Sequence, residues 1–456
     1  MIPIHWYVNK IGRRQFLKTS LSGLAFAAFP SISFSQSNPD VVVIGAGSAG
    51  LSATAELMRR GISVSCIEGM NRIGGRCYTD MSTFGVPADH GAHWLHGHKQ
   101  NEIAIFGKKH KDKFKIYKEP DRSVVYDGRK KVNENKLWKI YKKIDKFRTA
   151  NSSDEPFMDL LPEKIKKNDW FDTAHKALMA RDFGEFSTYD DNNNWYDPGW
   201  DSGNAFCREG YGALLAYYRK DVPVKLNTIV SEIKWGGQGV QVVTNKGTIN
   251  AKACIATVSA GVLKAEKIKF TPVLPLRNQE ALESVSMTVS NRVLMQLNKK
   301  FLGKFKSDTN FYIKCDSNGA KSPETIAYGL LKMSGTNVSL FGISGQFSKD
   351  LENEGSEAMI DFVLNKLKST YGSEFYEKYF IKAIATGWAN NPFTLGAYSG
   401  GVPGKSKKRR DIKFPVGDRI FFAGEATAGA FSTVHGANRS GIRVATDVYI
   451  SPALES

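Results

Sequence analysis

The residues best suited to chemistry in this chain form a glycine-rich turn, Gly45-Ala46-Gly47-Ser48-Ala49-Gly50, which follows four apolar residues. Gly45 permits a tight turn, Gly47 lets the backbone approach a pyrophosphate, and Gly50 allows a helix to pack closely on a strand. The N-terminus of the following helix has free N–H groups and a partial positive charge, which favour a phosphate. The turn therefore predicts a phosphate-binding nucleotide site that uses Gly45, Gly47, Ala49 and Gly50.

The flanking sequence predicts the elements that hold this turn in place. Val41 to Ile44 read as a buried strand, Leu51 to Arg60 as a helix, and Ile62 to Ile67 as a second strand, which together form a βαβ unit. Glu68 ends the second strand, 23 residues after Gly45. A carboxylate there can accept hydrogen bonds from ribose hydroxyls and would repel a 2′-phosphate, so the whole pattern favours a dinucleotide over an ordinary glycine turn.

The rest of the chain predicts a second domain that interrupts the nucleotide domain. From Asn101 to about Asn204 the sequence is charged and aromatic, with helical periodicity in Glu134 to Arg148 and in Trp170 to Arg181. Strand signals return at 222–257, 289–297 and 326–343, followed by a helical pattern at 354–369 and a last strand at 419–422. We therefore expect a nucleotide domain assembled from at least three stretches of the chain.

Composition indicates a basic protein of ordinary globular type. The chain is 41% hydrophobic and 24% charged, and no run reaches the roughly 18 apolar residues of a membrane span. Its formal charge of +18 comes partly from clusters such as Lys108–Lys111 and Lys405–Arg410. Such clusters can meet anionic lipid or nucleic acid, but no aromatic-interleaved nucleic-acid motif accompanies them. We interpret them as solvated faces and expect no nucleic-acid partner.

Residues 1–35 are expected to form a twin-arginine signal peptide. Arg13 and Arg14 precede a modest apolar stretch, Leu21 to Phe29, and Ser33-Phe34-Ser35 is typical of a cleavage site. The alternative is a basic tail or anchor. Removing Lys10, Arg13, Arg14 and Lys18 lowers the formal charge from +18 to +14. The signal predicts the twin-arginine export machinery as a partner and a periplasmic protein that is folded, with its cofactor loaded, before export.

Cysteine and histidine spacing predicts neither a disulfide framework nor a metal site. Five cysteines are few for so long a chain, and two of them, Cys66 and Cys254, lie inside apolar strand-like runs. No His/Cys spacing is typical of a zinc site. No feature of the sequence indicates an oligomeric state.

A second strand-turn-helix element, Phe421 to Gly441, contains Ala423-Gly424-Glu425 and Thr433-Val434-His435-Gly436-Ala437. Together with the first turn, with Arg72-Ile73-Gly74-Gly75-Arg76 and with Gly91-Ala92-His93-Trp94, it resembles the flavin-containing amine oxidase family. That family includes polyamine oxidases, monoamine oxidases and lysine-specific histone demethylases. The resemblance covers about Asp40 to Val448.

The resemblance implies an α/β fold with a discontinuous Rossmann-like FAD-binding domain (36–110, 205–288 and 386–456) and an α+β substrate-binding domain (111–204 and 289–385). In this family Glu68 corresponds to the ligand of the adenosine ribose, and Val230 to the residue whose backbone holds the adenine. Gly74, Gly75 and Arg76 correspond to pyrophosphate contacts. The implied cofactor-binding residues are Gly45, Gly47, Ala49, Gly50, Glu68, Gly74, Gly75, Arg76, His93, Trp94, Val230, Gly424, Glu425, Thr433 and Val434.

The family's chemistry is the transfer of a hydride equivalent from the carbon next to an amine nitrogen to flavin N5, after which water hydrolyses the imine to an aldehyde. The protein orients the C–H bond and favours the neutral amine by desolvation, where each pKa unit corresponds to about 1.4 kcal/mol. The resemblance assigns this site to Arg292, Trp388, Tyr398 and Thr433. Tyr398 corresponds to one wall of an aromatic cage, and Thr433 stands where many members carry the second wall.

Two positions depart from parts of the family. Ala397 stands where monoamine oxidases carry the cysteine that attaches FAD, which implies a non-covalent FAD. Arg292 stands where the family normally has a lysine that holds a water against flavin N5 and assists reaction with oxygen. Arginine is permanently charged and prefers forked contacts, so it either still fixes a water or pairs with a nearby carboxylate. The electron acceptor is therefore oxygen or, in a periplasmic dehydrogenase, a cytochrome or quinone.

Several hypotheses of function follow. The first is an exported FAD-dependent oxidase or dehydrogenase of primary or secondary amines, polyamines among them. The second is an L-amino-acid oxidase-like or carotenoid-desaturase-like flavoprotein, of which the former needs an arginine for the substrate carboxylate. The third is a flavin-binding module without catalysis.

The acidic, aromatic segment Tyr189 to Asp201 either lines an entrance that recruits cationic amines or is a turn-rich surface loop.

Overall fold

A computed structural model of the protein describes residues 38–180, 182, 185–315 and 324–454. The expected twin-arginine signal at residues 1–35 lies outside the described residues, so it stays a prediction. Within the described part of the chain, no helix is both long and apolar enough to cross a membrane.

Short strands and helices follow one another along the described chain. The strands are β1 (Val41–Ile44), β2 (Val64–Ile67), β3 (Thr79–Asp80), β4 (Ala88–Asp89), β5 (Ile116–Lys118), β6 (Ser123–Asp127), β7 (Lys130–Val132), β8 (Ala205–Cys207), β9 (Val224–Lys225), β10 (Val230–Lys234), β11 (Val240–Thr244), β12 (Gly247–Ala251), β13 (Ala253–Ala256), β14 (Lys269–Thr271), β15 (Val285–Thr288), β16 (Ser290–Leu297), β17 (Thr309–Ile313), β18 (Tyr328–Leu331), β19 (Val338–Ser344), β20 (Phe380–Ala385), β21 (Tyr398–Gly401) and β22 (Ile420–Phe422). The α-helices are α1 (Ser48–Arg59), α2 (Glu102–Lys109), α3 (Asn135–Ala150), α4 (Phe157–Leu160), α5 (Glu163–Lys166), α6 (Phe171–Met179), α7 (Tyr211–Tyr218), α8 (Ala260–Lys264), α9 (Leu276–Glu283), α10 (Lys299–Leu302), α11 (Gln346–Glu354), α12 (Ser356–Tyr371), α13 (Phe375–Tyr379) and α14 (Val434–Tyr449).

A parallel sheet with strand order β22-β13-β1-β2-β9 carries the glycine turn. Every residue of β1 and β13 is buried, which is why both strands read as unbroken apolar runs. Cys66 and Cys254 lie in this sheet, and burial raises the pKa of each thiol to about 12. The predicted βαβ unit is present, with α1 beginning at Ser48, three residues earlier than expected.

Helix α14 packs against α1 and brings the two ends of the described chain together. Ser52 Oγ donates a hydrogen bond to Asn438 Oδ1 at 2.6 Å, and Arg219 donates to both of these side chains. The helices approach closely because Gly441 has no side chain: a Cβ added there would lie 2.1 Å from the Ala49 carbonyl oxygen. The Rossmann-like part of the fold therefore depends on residues from both ends of the described chain.

A seven-stranded mixed sheet, in the order β20-β16-β19-β18-β17-β6-β7, forms the other main layer. Its strands come from residues 123–132 and 290–385, and α3 to α6 lie between these segments in the chain. Separate apolar clusters pack around the sheet: one includes Phe301 and Val363, the other Ile144 and Phe171. The fold is thus α/β with a Rossmann-like part and an α+β part, as predicted, while the exact domain boundaries stay a prediction.

Strand β5 departs from the simple division into two domains. It lies in the segment 111–204 that was assigned to the substrate-binding domain, yet it pairs with β8, which follows that segment. Leu95 also forms a bridge with Ala205 at the start of β8. These backbone hydrogen bonds fix the residue that follows β5, Glu119, against the segment around Trp94.

Substitution Gly441→Ala tests the packing of α14 on α1. Alanine normally stabilises a helix interior by about 0.5–1 kcal/mol relative to glycine. In this helix we expect destabilisation by about 1–3 kcal/mol, because the added methyl would overlap the Ala49 backbone. The urea midpoint of unfolding measures it. Gly237→Ala is the matched control, since a Cβ there meets nothing within 4 Å; an equal or higher midpoint for Gly441→Ala would contradict the close packing.

Candidate functional site

A cavity of about 1150 Å³ lies between the parallel sheet and the seven-stranded sheet. Its volume exceeds the roughly 300–1,000 Å³ of an ordinary small-molecule pocket, which leaves room for a dinucleotide and a substrate together. At one end it is lined by Gly45, Glu68 and Val230, and at the other by Trp388 and Tyr398. The cavity therefore connects the nucleotide turn to the aromatic segment.

The structure brings nearly all the expected site residues to this cavity. Those that line it are Gly45, Gly47, Ala49, Glu68, Gly74, Gly75, Arg76, His93, Trp94, Val230, Arg292, Trp388, Tyr398, Gly424, Glu425, Thr433 and Val434. Gly50 does not line it. Gly50 lies behind the turn, where an added Cβ would lie 1.9 Å from the Gly45 carbonyl oxygen, so its small size serves helix-to-strand packing.

The turn end of the cavity fits a dinucleotide. Gly47 caps α1 without a side-chain hydrogen bond, which leaves the helix N-terminus open to an anion. A Cβ added at Gly47 would meet nothing within 4 Å. The Glu68 carboxylate accepts from the Ala46 N–H at 2.6 Å and the Met70 N–H at 2.9 Å. Since a carboxylate has about four acceptor positions, Glu68 can still accept from ribose hydroxyls.

Glu425 is a buried carboxylate surrounded by donors. It accepts from the Arg76 guanidinium at 3.0 Å, from Ser399 Oγ at 2.6 Å and from the Ser432 N–H at 3.0 Å. Burial raises the pKa of Glu425, but the charges of Arg76 and Arg409 and the hydrogen bond from Ser399 bring that pKa below its usual value. Glu425 is therefore ionised at neutral pH and holds Arg76 beside the cavity.

The aromatic end is fixed by hydrogen bonds to the backbone. The Trp388 N–H donates to Asn291 Oδ1 at 3.1 Å, and Tyr398 Oη donates to the Ala180 carbonyl at 3.1 Å. Thr433 Oγ1 accepts from the Gly436 N–H at 3.0 Å and donates to the Ala430 carbonyl at 2.7 Å. The Thr433 hydroxyl thus caps α14, while its residue position lines the cavity.

The structure places Arg292 on β16, beside aromatic rings. Its guanidinium carbon lies 5.5 Å from the centre of the Trp94 ring, and its Nε donates to Tyr328 Oη at 3.4 Å. None of the described carboxylates forms an ion pair with it. Two roles were expected for Arg292: fixing a water, or pairing with a nearby carboxylate. The described residues provide no carboxylate partner for the second role.

Sequence reasoning missed Glu119, a carboxylate that lines the cavity beside Trp94. Its two oxygens accept from Trp94 Nε1 at 2.9 Å and from Asn204 Nδ2 at 2.7 Å. No local motif marks it, because the pairing of β5 with β8 is what carries it to Trp94. The cavity wall around it includes Trp138, Tyr141, Tyr312 and Tyr328.

Two histidines beside the cavity are held in defined orientations. His93 shares a hydrogen bond of 2.7 Å with Asp89 and stacks on Phe206. His96 shares a hydrogen bond of 2.8 Å with Asn204. Burial lowers the pKa of His96 to about 4, with a smaller contribution from His435, so His96 is uncharged at neutral pH. It therefore does not repel a cation near Glu119.

Three of the four carboxylates in the acidic segment Tyr189–Asp201, those of Asp190, Asp191 and Asp197, form ion pairs within the fold, and Asp201 is exposed. Asp197 is almost fully buried and pairs with His435 at 2.8 Å and with Arg439 at 3.0 Å. Asp190 pairs with Arg409 at 2.9 Å. Recruitment of amines, one of the two roles considered for the segment, thus lacks exposed charge at Asp190 and Asp197, because Arg409 and Arg439 pair with these carboxylates inside the fold.

The basic cluster Lys405–Arg410 was interpreted as a solvated face, which is wrong for Arg409 because this residue is buried. It is 3% exposed, and its guanidinium carbon lies 3.8 Å from the centre of the Phe431 ring. This cation is a structural member of the network around Glu425. Among the described residues, no cluster of His, Cys, Asp and Glu is arranged to hold a metal ion.

Two family models match the chain. The model described as flavin containing amine oxidoreductase matches residues 167–449, and that of an NAD(P)-binding Rossmann-like domain matches residues 43–106. The first spans more than half of the chain, and the second begins at β1 and includes the glycine turn.

Individual relatives agree with this result. Polyamine oxidase 4 of Oryza sativa subsp. japonica is 28% identical over 453 residues, which cover 90% of this chain and 88% of that protein. Protein FLOWERING LOCUS D of Arabidopsis thaliana is 28% identical over 478 residues, which cover 97% of this chain and 58% of that protein.

The fold has solved counterparts. A triple mutant of putrescine oxidase with redesigned cofactor binding superimposes with a TM-score of 0.73 at 18% identity, covering 90% of this chain and 98% of that one. At this identity the likeness shows the fold, and the match of the amine oxidoreductase model to residues 167–449 shows the family. The chain belongs to the flavin-containing amine oxidoreductase family and is a flavin-dependent oxidoreductase.

Proposed function

We propose that this protein uses non-covalently bound FAD to oxidise a primary or secondary amine to an imine by hydride transfer to flavin N5, with hydrolysis of the imine to an aldehyde. One observation carries the proposal: the cavity that contains the nucleotide turn is also lined by the carboxylate of Glu119 and by the aromatic side chains around it. The relatives named polyamine oxidase and putrescine oxidase support an amine substrate and oxygen as the electron acceptor.

The chain's own residues would hold FAD along the cavity. Glu68 would bind the adenosine ribose, the N-terminus of α1 the pyrophosphate, and the N-terminus of α14 the pyrimidine end of the flavin. When bound, FAD supplies the acceptor for the hydride equivalent. Position 397 is an alanine, so it offers no thiol for a covalent bond, which supports a dissociable cofactor.

The substrate end would orient an amine and exclude water. Glu119 is an anion with capacity for further donors, and the neighbouring His96 is neutral because burial lowers its pKa to about 4. Aromatic rings attract cationic groups and desolvate them. Glu119 would thus hold one ammonium group, while the apolar surroundings keep the reacting amine in its neutral form.

Anaerobic mixing of the purified holoprotein with a panel of amines tests the proposal. We expect amines to bleach the flavin absorbance, and air to restore it faster than cytochrome c does. Acid precipitation should release the flavin into the supernatant, since no covalent bond is expected. A flavin that no amine bleaches would overturn the proposed function, and reoxidation by cytochrome c alone would assign a dehydrogenase.

Glu119→Gln tests the ammonium contact. Replacing a charged acceptor by a neutral one removes about 1.5–3 kcal/mol, so the Kd of a diamine measured from anaerobic flavin reduction should rise about tenfold or more. The limiting rate of reduction should change less than the Kd. Glu357→Gln, on the exposed face of α12, is the matched control. An unchanged diamine Kd in Glu119→Gln would contradict the assignment.

Glu425→Gln tests the buried charge network. Because the folded pKa of Glu425 lies below the usual value of 4.5, ionisation stabilises the fold above pH 4.5, and this stability is lost as pH falls through the folded pKa. We expect the variant to be less stable by about 3 kcal/mol at pH 7, with a difference from the parent that shrinks as the pH falls below 4.5. Thermal melts across pH measure it, with Glu357→Gln, on the exposed face of α12, as the control. A pH-independent difference would refute the charge contribution.

A further inference from the structure

Arg292 carries a buried charge that the described protein leaves largely unpaired. The residue is only 9% exposed, its Nη1 is buried without a hydrogen-bond partner, and Nη2 donates to no described residue. Its one side-chain hydrogen bond to a described residue, from Nε to Tyr328 Oη, is long at 3.4 Å. Removing a charge from water without an ion partner is unfavourable, so a built position of this kind indicates an anionic ligand.

The surrounding structure holds Arg292 in this position. Its backbone N–H donates to Thr386 Oγ1 at 2.8 Å, and its carbonyl accepts from the Thr386 N–H at 2.9 Å. Opposite Arg292 in β19 stands Gly342, where a Cβ would lie 2.3 Å from the Tyr328 ring. Because Gly342 has no Cβ, the Tyr328 ring can lie where its hydroxyl accepts from the Arg292 guanidinium.

The Trp94 side chain contacts both Arg292 and Glu119. The guanidinium of Arg292 lies over the Trp94 ring, and the indole N–H of Trp94 donates to Glu119. One aromatic side chain thus contacts both a positive and a negative group that line the same cavity. A purely cationic amine would match Glu119 but would be repelled by Arg292, whereas a molecule with an ammonium and a carboxylate matches both.

We propose that the substrate carries a carboxylate in addition to its amine, and that Arg292 binds this carboxylate through the forked edge of its guanidinium. Arginine suits the role because its planar donors match a carboxylate in a bidentate contact, which an ammonium group does not. The inference rests on the proposed function for the amine half of the substrate. It narrows the substrate class to amino-acid-like amines.

The first experiment measures binding without turnover. The oxidised holoprotein is titrated by calorimetry with benzoate and with benzamide, its neutral counterpart. We expect benzoate to bind at least about tenfold more tightly, and Arg292→Met to abolish that preference while Arg292→Lys retains part of it. Arg122→Met removes another arginine that lines the cavity and should keep the preference within about twofold of the parent. Flavin content and melting temperature verify that each variant is folded.

The second experiment uses substrates that differ by one carboxylate. Ornithine is putrescine with a carboxylate on a carbon that bears an amine. For each substrate, anaerobic mixing gives the limiting rate of flavin reduction, kred, and the dissociation constant, Kd. The value of kred/Kd for ornithine divided by that for putrescine therefore reports the carboxylate contact. We expect the parent to favour ornithine at least about tenfold, and Arg292→Met to lose this advantage through Kd.

The outcomes separate the two proposals. Reduction by putrescine but not by ornithine, or a benzoate preference that survives in Arg292→Met or disappears in Arg122→Met, would overturn the role of Arg292 and leave amine oxidation intact. Failure of every amine to reduce the flavin would overturn the proposed function, while the benzoate titration would still decide whether Arg292 binds a carboxylate.

Discussion

The buried carboxylate of Glu425 is the interaction on which the rest of the site depends. It joins Arg76 from the segment after β2, Ser399 from β21 and the backbone before α14, and through Ser399 it reaches Arg409. Each of these groups is polar and largely removed from water, so each needs the others for its hydrogen bonds. The network therefore fixes the cofactor end and the aromatic end of the cavity in one arrangement.

The sequence was sufficient to predict those parts of the fold that are determined by residues close together in the chain. The βαβ unit follows from apolar periodicity and from glycines at a turn, and the observed α1 and β1 agree with it to within a few residues. The strand-turn-helix element expected over Phe421 to Gly441 is likewise present, with β22 at Ile420–Phe422 and α14 beginning at Val434. Gly50 has the close-packing role that its place in the turn predicts, because an added Cβ would meet the Gly45 carbonyl oxygen, and it does not line the cavity.

What sequence could not predict depends on pairings between distant segments. Glu119 reaches the cavity because β5 pairs with β8, and a single sequence contains no signal for that register. The acidic segment around Asp197 looked like an exposed charge cluster, and its partners His435 and Arg439 lie more than 200 residues away in the chain. The same holds for Arg409, whose basic neighbours in the sequence concealed its burial.

The packing of α14 on α1 has a consequence for how the protein is made. Ser52 and Asn438 are 386 residues apart, and Arg76 and Glu425 are 349 apart, so the glycine turn emerges from the ribosome long before its partners. Contacts of such sequence separation form late in folding. A nascent chain that ends before β22 has neither the Glu425 network nor the second helix N-terminus. The complete nucleotide site thus exists only once synthesis has passed Val434, where α14 begins.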